Sequence, residues 1–226
     1  MIKRNDKKKS WMSFALMTLL LFAVVLTGAG CQKSVDPSGY VQAFMDMLTK
    51  GEKEKYMEYS KESEEEVTEE FNAFAESVGQ GLGAVGASKE VQDRFNEVLK
   101  TVFAKSKYEV GEAKEISDGK YEVPVTIEPI EGLFDNYSQM LESRAAEYSK
   151  QLAESGENLD QEAIANWIFN TMLDCMEERI DSITYGEPKT ITVTVKADKD
   201  GYEIEDKEKI GGEIALALIN TDYFNQ

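Results

Sequence analysis

Tyr121-Glu122-Val123-Pro124-Val125-Thr126-Ile127-Glu128 is the stretch that decides the fold class. Its apolar and polar residues alternate with a period of two, the pattern that gives a β-strand one dry face and one wet face. Pro124 has no N–H to donate, which places that position at a sheet edge or a bulge. Just upstream, Ser117-Asp118-Gly119 supplies turn residues and Tyr108 and Val110 alternate with polar neighbours, so the region reads as a hairpin. A second period-two run carries Ile191, Val193 and Val195, turns at Asp198-Lys199-Asp200-Gly201, and continues through Tyr202, Ile204 and Asp206. That turn lacks the remaining ligands and the distal Glu of a calcium-binding loop, so it reads as a Gly-bearing turn.

Helical patterns surround these strands. Asp36 caps a first helix, with Pro37 at its first position and Val41, Phe44, Met45 and Leu48 at helical spacing. A short helix over residues 52–59 follows. A third is opened by Glu64, Glu65 and Glu66, acids that suit a helix N-terminus. The acidic run from Glu62 to Glu70 reads as a solvated helix face rather than a cation site. Gly81, Gly83 and Gly86 spell GxGxxG, but they follow a helix instead of a strand, so residues 79–86 read as an interhelical loop with no nucleotide role. Ser88 caps a fourth helix.

Between the two hairpins, residues 132–154 and a partner capped by Asn158 or Asp160 form a long helical pair. Cys175 lies on the apolar stripe of the second helix with Glu177 and Glu178 after it, the setting of a buried, inert thiol. Trp167 reads as core on the same stripe. Residues 207–220 close the chain as a helix. The order of elements describes an α+β fold: N-terminal helices packed on an antiparallel sheet of about four strands, with a helical pair (132–184) inserted between two hairpins.

The N-terminus carries different information. Lys3, Arg4, Lys7, Lys8 and Lys9 precede an uncharged apolar run from Trp11 to Leu26, which closes on Leu26-Thr27-Gly28-Ala29-Gly30-Cys31. A basic start, an apolar stretch and small residues before a cut are the parts of a secretory signal. The cysteine directly after them resembles the lipobox of bacterial lipoproteins, with Gly28 standing where that pattern usually has Leu. The resemblance implies a signal peptide over residues 1–30, acylation of Cys31 as the first mature residue, a tether over 31–35 and a single domain over 36–222. Two acyl chains at about 0.8 kcal/mol per buried CH₂ supply on the order of 20 kcal/mol of membrane affinity. An uncleaved signal-anchor helix is the other reading. In both, the body lies outside the cytoplasm on the extracytoplasmic face of the cell membrane, because the lysines stay inside.

Without residues 1–30, 20 Lys and Arg stand against 42 Asp and Glu, a net charge of −22. Such a surface repels phosphate backbones, which argues against nucleic acid as a partner. The chain has no histidine and two cysteines. Ser-His-Asp and Cys-His machinery, His-ligated zinc and a disulfide framework are all excluded, so no cofactor, metal or catalytic residue is assigned and the protein reads as a non-enzyme.

Tyr40-Val41-Gln42-Ala43-Phe44 through Lys50-Gly51-Glu52-Lys53-Glu54-Lys55-Tyr56 resembles the first helices of NTF2-like, cystatin-like domains. Tyr185-Gly186-Glu187-Pro188-Lys189-Thr190-Ile191-Thr192-Val193 is similar to strands of uncharacterised small lipoproteins of Gram-positive bacteria. Those families imply a curved sheet wrapped around a helix, forming a cone with an apolar mouth that the helical pair either covers or leaves open. The expected function is a membrane-anchored binding module, with a small apolar ligand in the concave sheet. The alternative is an envelope structural or regulatory protein that meets another protein through its acidic helical face.

Overall fold

A computed structural model describes residues 35–84, 86–155, 160–197, 199 and 201–219. Helix α1 (Pro37–Lys50) begins where its sequence dictates: the Asp36 carboxylate accepts from the Gly39 N–H, and Pro37 occupies the first turn. It ends at Gly51, whose φ of 72° is open to glycine at no steric cost. Tyr40, Val41, Ala43, Phe44, Met45, Met47, Leu48 and Thr49 are all buried, so α1 is enclosed on nearly every side. Its apolar stripe is wider than the four residues of period 3.6 suggest, because Tyr40, Met47 and Thr49 are covered as well.

Short α2 (Glu54–Ser60), α3 (Glu64–Ala84) and α4 (Lys89–Phe103) follow. Ser88 caps α4, accepting from the Val91 N–H. The glycines of residues 79–83, expected in a loop, belong to α3, which continues to Ala84; only Gly86, at φ 93°, turns out of it. Glycine costs a helix about 1 kcal/mol but keeps its N–H, so the ladder of hydrogen bonds can run on. GxGxxG here spans the last turns of a helix and the turn after it.

The main sheet contains β1 (Lys107–Val110), β2 (Lys114–Ser117), β3 (Lys120–Glu128), β6 (Lys189–Ala197) and β7 (Tyr202–Ile204). Its order is β1-β3-β6-β7, all antiparallel, with β2 extending the β1 edge, and it curls as a half-barrel. Inward-facing Val123, Val125 and Ile127 of β3 and Val193 and Val195 of β6 have no exposed surface. Each such side chain contributes about 1.5–3 kcal/mol by leaving water. Thr126 and Thr190, on the outer face, hydrogen-bond across the strands at 3.0 Å. Helices α1 and α7 (Lys207–Leu218) pack on the inner face of β3 and β6.

Pro124 lies in an interior strand, and the break its missing donor requires falls in the neighbouring edge. Its carbonyl accepts from the Gly111 N–H at 2.8 Å. A residue in an antiparallel ladder turns N–H and C=O toward the same neighbour. The absent donor therefore faces Gly111–Ala113, where β1 has ended and β2 has not begun. Gly111 is needed for closeness rather than for its dihedrals: a Cβ there would sit 2.7 Å from Pro124 Cγ.

The helical insertion is α5 (Tyr137–Ser155) and α6 (Gln161–Arg179), the latter capped by Asp160, which accepts from the Ala163 N–H. A two-stranded ribbon, β4 (Ile130–Glu131) with β5 (Thr184–Tyr185), pairs the strands on either side of it. The first of these helices starts at Tyr137 and not at residue 132. Gly132 and Asn136 take positive φ (84° and 63°), and the turn between them drops Leu133 and Phe134 into the core instead of onto a helix face.

Gly111→Ala is expected to destabilise the domain by about 1–3 kcal/mol through overpacking against the proline ring. Placing the same change on a Pro124→Ala background should recover most of that loss, as read from urea unfolding midpoints.

Candidate functional site

The concave side of the sheet is filled. The expected mouth, open or roofed by the helical pair, is instead occupied by α1 and α7, whose Phe44, Met45, Ile214 and Leu218 are buried with the inner-face valines in one core. The tyrosines and methionines that could have lined a ligand cavity, Tyr40, Tyr56, Met45 and Met47, are themselves core residues.

Where the chain enters the domain, polar groups converge. The Asp36 N–H donates to Tyr202 Oη at 2.6 Å and its carboxylate accepts from Tyr59 Oη at 2.7 Å. The rings of Tyr59 and Tyr202 meet edge to face at 5.4 Å, while Tyr40 stacks on Tyr56 at 5.5 Å. Behind them Lys207 donates to Glu70 (2.9 Å), Glu62 (3.1 Å) and Tyr56 Oη (3.2 Å). Glu62 and Glu70 therefore reach inward to an ammonium, correcting the reading of their segment as a wholly solvated face. Burial raises the pKa of Glu70, and repulsion from Glu62 adds to this against the lowering effect of Lys207. Burial works against the Lys207 charge, yet its carboxylate partners outweigh it and hold the proton on. Two carboxylates share one ammonium, so both shifts describe the same shortage of positive charge.

A second cluster binds the helical pair to the body. Asp174 of α6 bridges Arg94 of α4 (2.5 Å) and Arg144 of α5. Arg94 also meets Glu177 at 2.7 Å and Asn170 at 2.8 Å, and Arg144 meets Glu178 at 3.4 Å. Burial alone would raise the Asp174 pKa; the hydrogen bonds and charges of Arg94 and Arg144 lower it. Among the described side chains of α5, none is fully buried. Tyr148 lies flat against Trp167, centroids 5.2 Å apart and planes 7° from parallel, and both rings are half-buried. Arg144, Glu147, Tyr148 and Gln151 of α5 face Trp167, Asn170, Thr171 and Asp174 of α6 across a groove of about 370 Å³. Trp167 thus walls a groove instead of filling a core. Its neighbours are two helical stripes whose meeting no single-helix pattern announces.

Cys175 is buried, its Sγ lying 3.7 Å from the Leu133 carbonyl and 3.8 Å from that of Asp135, and burial pushes its thiol up, as an inert cysteine requires. Cys31, the assigned lipidation site, lies outside the described residues, as do Asp198 and Asp200 of the second turn. Among the described residues no three Asp, Glu or Cys side chains converge as metal ligands, and no helix is long and apolar enough to cross a membrane.

Neither a family model nor a curated protein sequence matches this chain. Among solved structures it is similar to the candidate lipoprotein YcdA of Bacillus subtilis, with a TM-score of 0.58 and 20% identity over 81% of this chain. The match spans 56% of that neighbour's length. At this identity the likeness is one of fold.

Two measurements address the clusters. A carboxyl group whose pKa is raised by folding binds its proton more tightly in the native state, so its contribution to stability falls as pH rises from about 4.5 through its folded value. Glu70→Gln should therefore gain on the wild type over that interval in pH-dependent unfolding. Asp174→Ala should cost roughly 1 kcal/mol, limited by solvent screening at this half-exposed site. Its larger effect should be faster amide hydrogen exchange in α5 than in the sheet.

Proposed function

We propose that this chain is a lipid-anchored, extracytoplasmic, non-catalytic binding module that makes its contacts through helices rather than through the sheet. The leader ending at Cys31 carries the reading. A folded body whose first cap, Asp36, lies five residues further on supports it. Gln32, Lys33, Ser34 and Val35 reach at most about 14 Å when extended. That leash holds the domain close to the bilayer, while its net negative charge keeps it off anionic headgroups. The curled sheet around α1 is in keeping with an NTF2-like domain of a Gram-positive lipoprotein family.

A ligand inside the sheet loses its place, because packed side chains already occupy that volume. Catalysis by paired carboxylates finds no support either: Glu62 and Glu70 converge on an ammonium, which keeps them from acting as an acid and base on a substrate. The alternative of an envelope partner met through an acidic helical face keeps its surface. The α5–α6 pair adds Arg144, Tyr148 and Trp167, residue types that dominate binding energy at interfaces.

Metabolic labelling with a fatty acid should mark the wild-type protein and leave Cys31→Ala unmarked. An intact Met1 in the membrane fraction would overturn the cleavage, and a soluble cytosolic protein with an unmodified thiol would overturn the anchor.

A further inference from the structure

The groove between α5 and α6 is built from the side chains that recognise sugars, and we propose that it binds a neutral pyranose ring of an extracytoplasmic glycan. The inference rests on the binding-module reading and names the ligand class for its helical face. Tyr148 and Trp167 form the shelf: two rings stacked face to face, both half-buried and both lining the groove, so that a sugar would lie on an outer face of the pair. The C–H-bearing face of a pyranose is apolar and weakly positive, and it complements the negative face of an aromatic ring. A planar polar rim surrounds the shelf. Glu147 and Gln151 lie one helical turn apart on α5, and Asn170 and Asp174 lie one turn apart on α6, all lining the same groove. The Glu147 carboxylate and the Gln151 amide can accept from and donate to adjacent hydroxyls, and the Asn170 amide nitrogen can donate, while both Asp174 oxygens and Asn170 Oδ1 are held by arginines. The side chains of Glu147 and Gln151 make no hydrogen bond among the described residues, leaving their polar atoms for a ligand.

Charge selects among polar ligands. In a chain of net charge −18, Arg144 and Arg94 bind the two oxygens of Asp174. Of the residues that line the groove, Arg144 stands against Glu147 and Asp174, a net charge of −1. An anion is disfavoured there, and with both Asp174 oxygens held by arginines a cation meets no pair of free carboxylates, whereas a neutral polyol needs neither. A groove of about 370 Å³ falls in the lower part of the range for small-molecule sites, suited to one or two sugar rings at the end of a glycan.

The probes are the β-1,4-linked tetramer of N-acetylglucosamine and that of glucose, titrated into the detergent-solubilised full-length protein. Binding is read by calorimetry and by the fluorescence change of Trp167. At least one probe should bind with a dissociation constant of about 0.1–1 mM. Preference for the acetamido sugar would assign the amides Gln151 and Asn170 to its N-acetyl group; equal binding would assign the rim to ring hydroxyls. Trp167→Ala should abolish binding. Gln151→Ala, an exposed change that leaves the thermal midpoint unaltered, should weaken it by about tenfold. No binding of either probe at about 10 mM, or binding unchanged in both variants, overturns the proposal. So does a protein partner whose capture needs Trp167 while neither sugar binds. Cys31→Ala should bind sugar as the wild type does, so loss of the anchor and loss of the sugar site are read separately.

Discussion

The burial of α1 inside the curl of the sheet is the constraint from which the rest of this structure follows. A helix covered on nearly all sides must present apolar surface in every direction, and α1 does so with Val41, Phe44, Met45, Met47 and Leu48. Where it carries polar groups, they are satisfied locally. Thr49 donates to the Met45 carbonyl, and Asp46 accepts from Tyr108, Gln42 and Lys50. With this volume occupied by protein, the concave side of the sheet leaves no room for a ligand.

Periodicity made most of the elements legible in the sequence. The alternation through Val123, Val125 and Ile127 located the central strand, and the caps at Asp36, Ser88 and Asp160 marked three helix starts, because in each case a short-range rule acts alone. Misreadings arose where tertiary context outweighed local preference. Glycine discourages a helix without forbidding it, and α3 runs across Gly79, Gly81 and Gly83. Leu133 and Phe134 fit a helical stripe equally well as residues of a turn, and only the positive φ of Gly132 and Asn136 sets them apart. Pro124 demanded a break in pairing, but nothing local could tell whether the break lay in its own strand or in the next one.

The groove was the least legible part. Tyr148 and Trp167 stand 19 positions apart on separate helices, and each looks like core within its own stripe. Their meeting depends on the ribbon that pairs Ile130 with Tyr185 and on the three-helix bridge at Asp174. The start of the described domain was half legible. Asp36 was evident as a cap, yet its bonds to Tyr59 and Tyr202 join residues 23 and 166 positions away. Those bonds tie the first residues of the domain to both α2 and β7.

The β4–β5 ribbon has a consequence for how such a chain can diversify. Because Ile130–Glu131 and Thr184–Tyr185 run side by side, everything between them is a detour that begins and ends at one spot. Its base is committed: Leu133, Leu173 and Met176 are rooted in the main core. Its outer turns meet the body at the start of α4, where the Asn166 side chain accepts from the Ser88 N–H and Ala165 is buried. Surface positions of α5 and α6 can therefore change their chemistry while the sheet beneath folds unchanged.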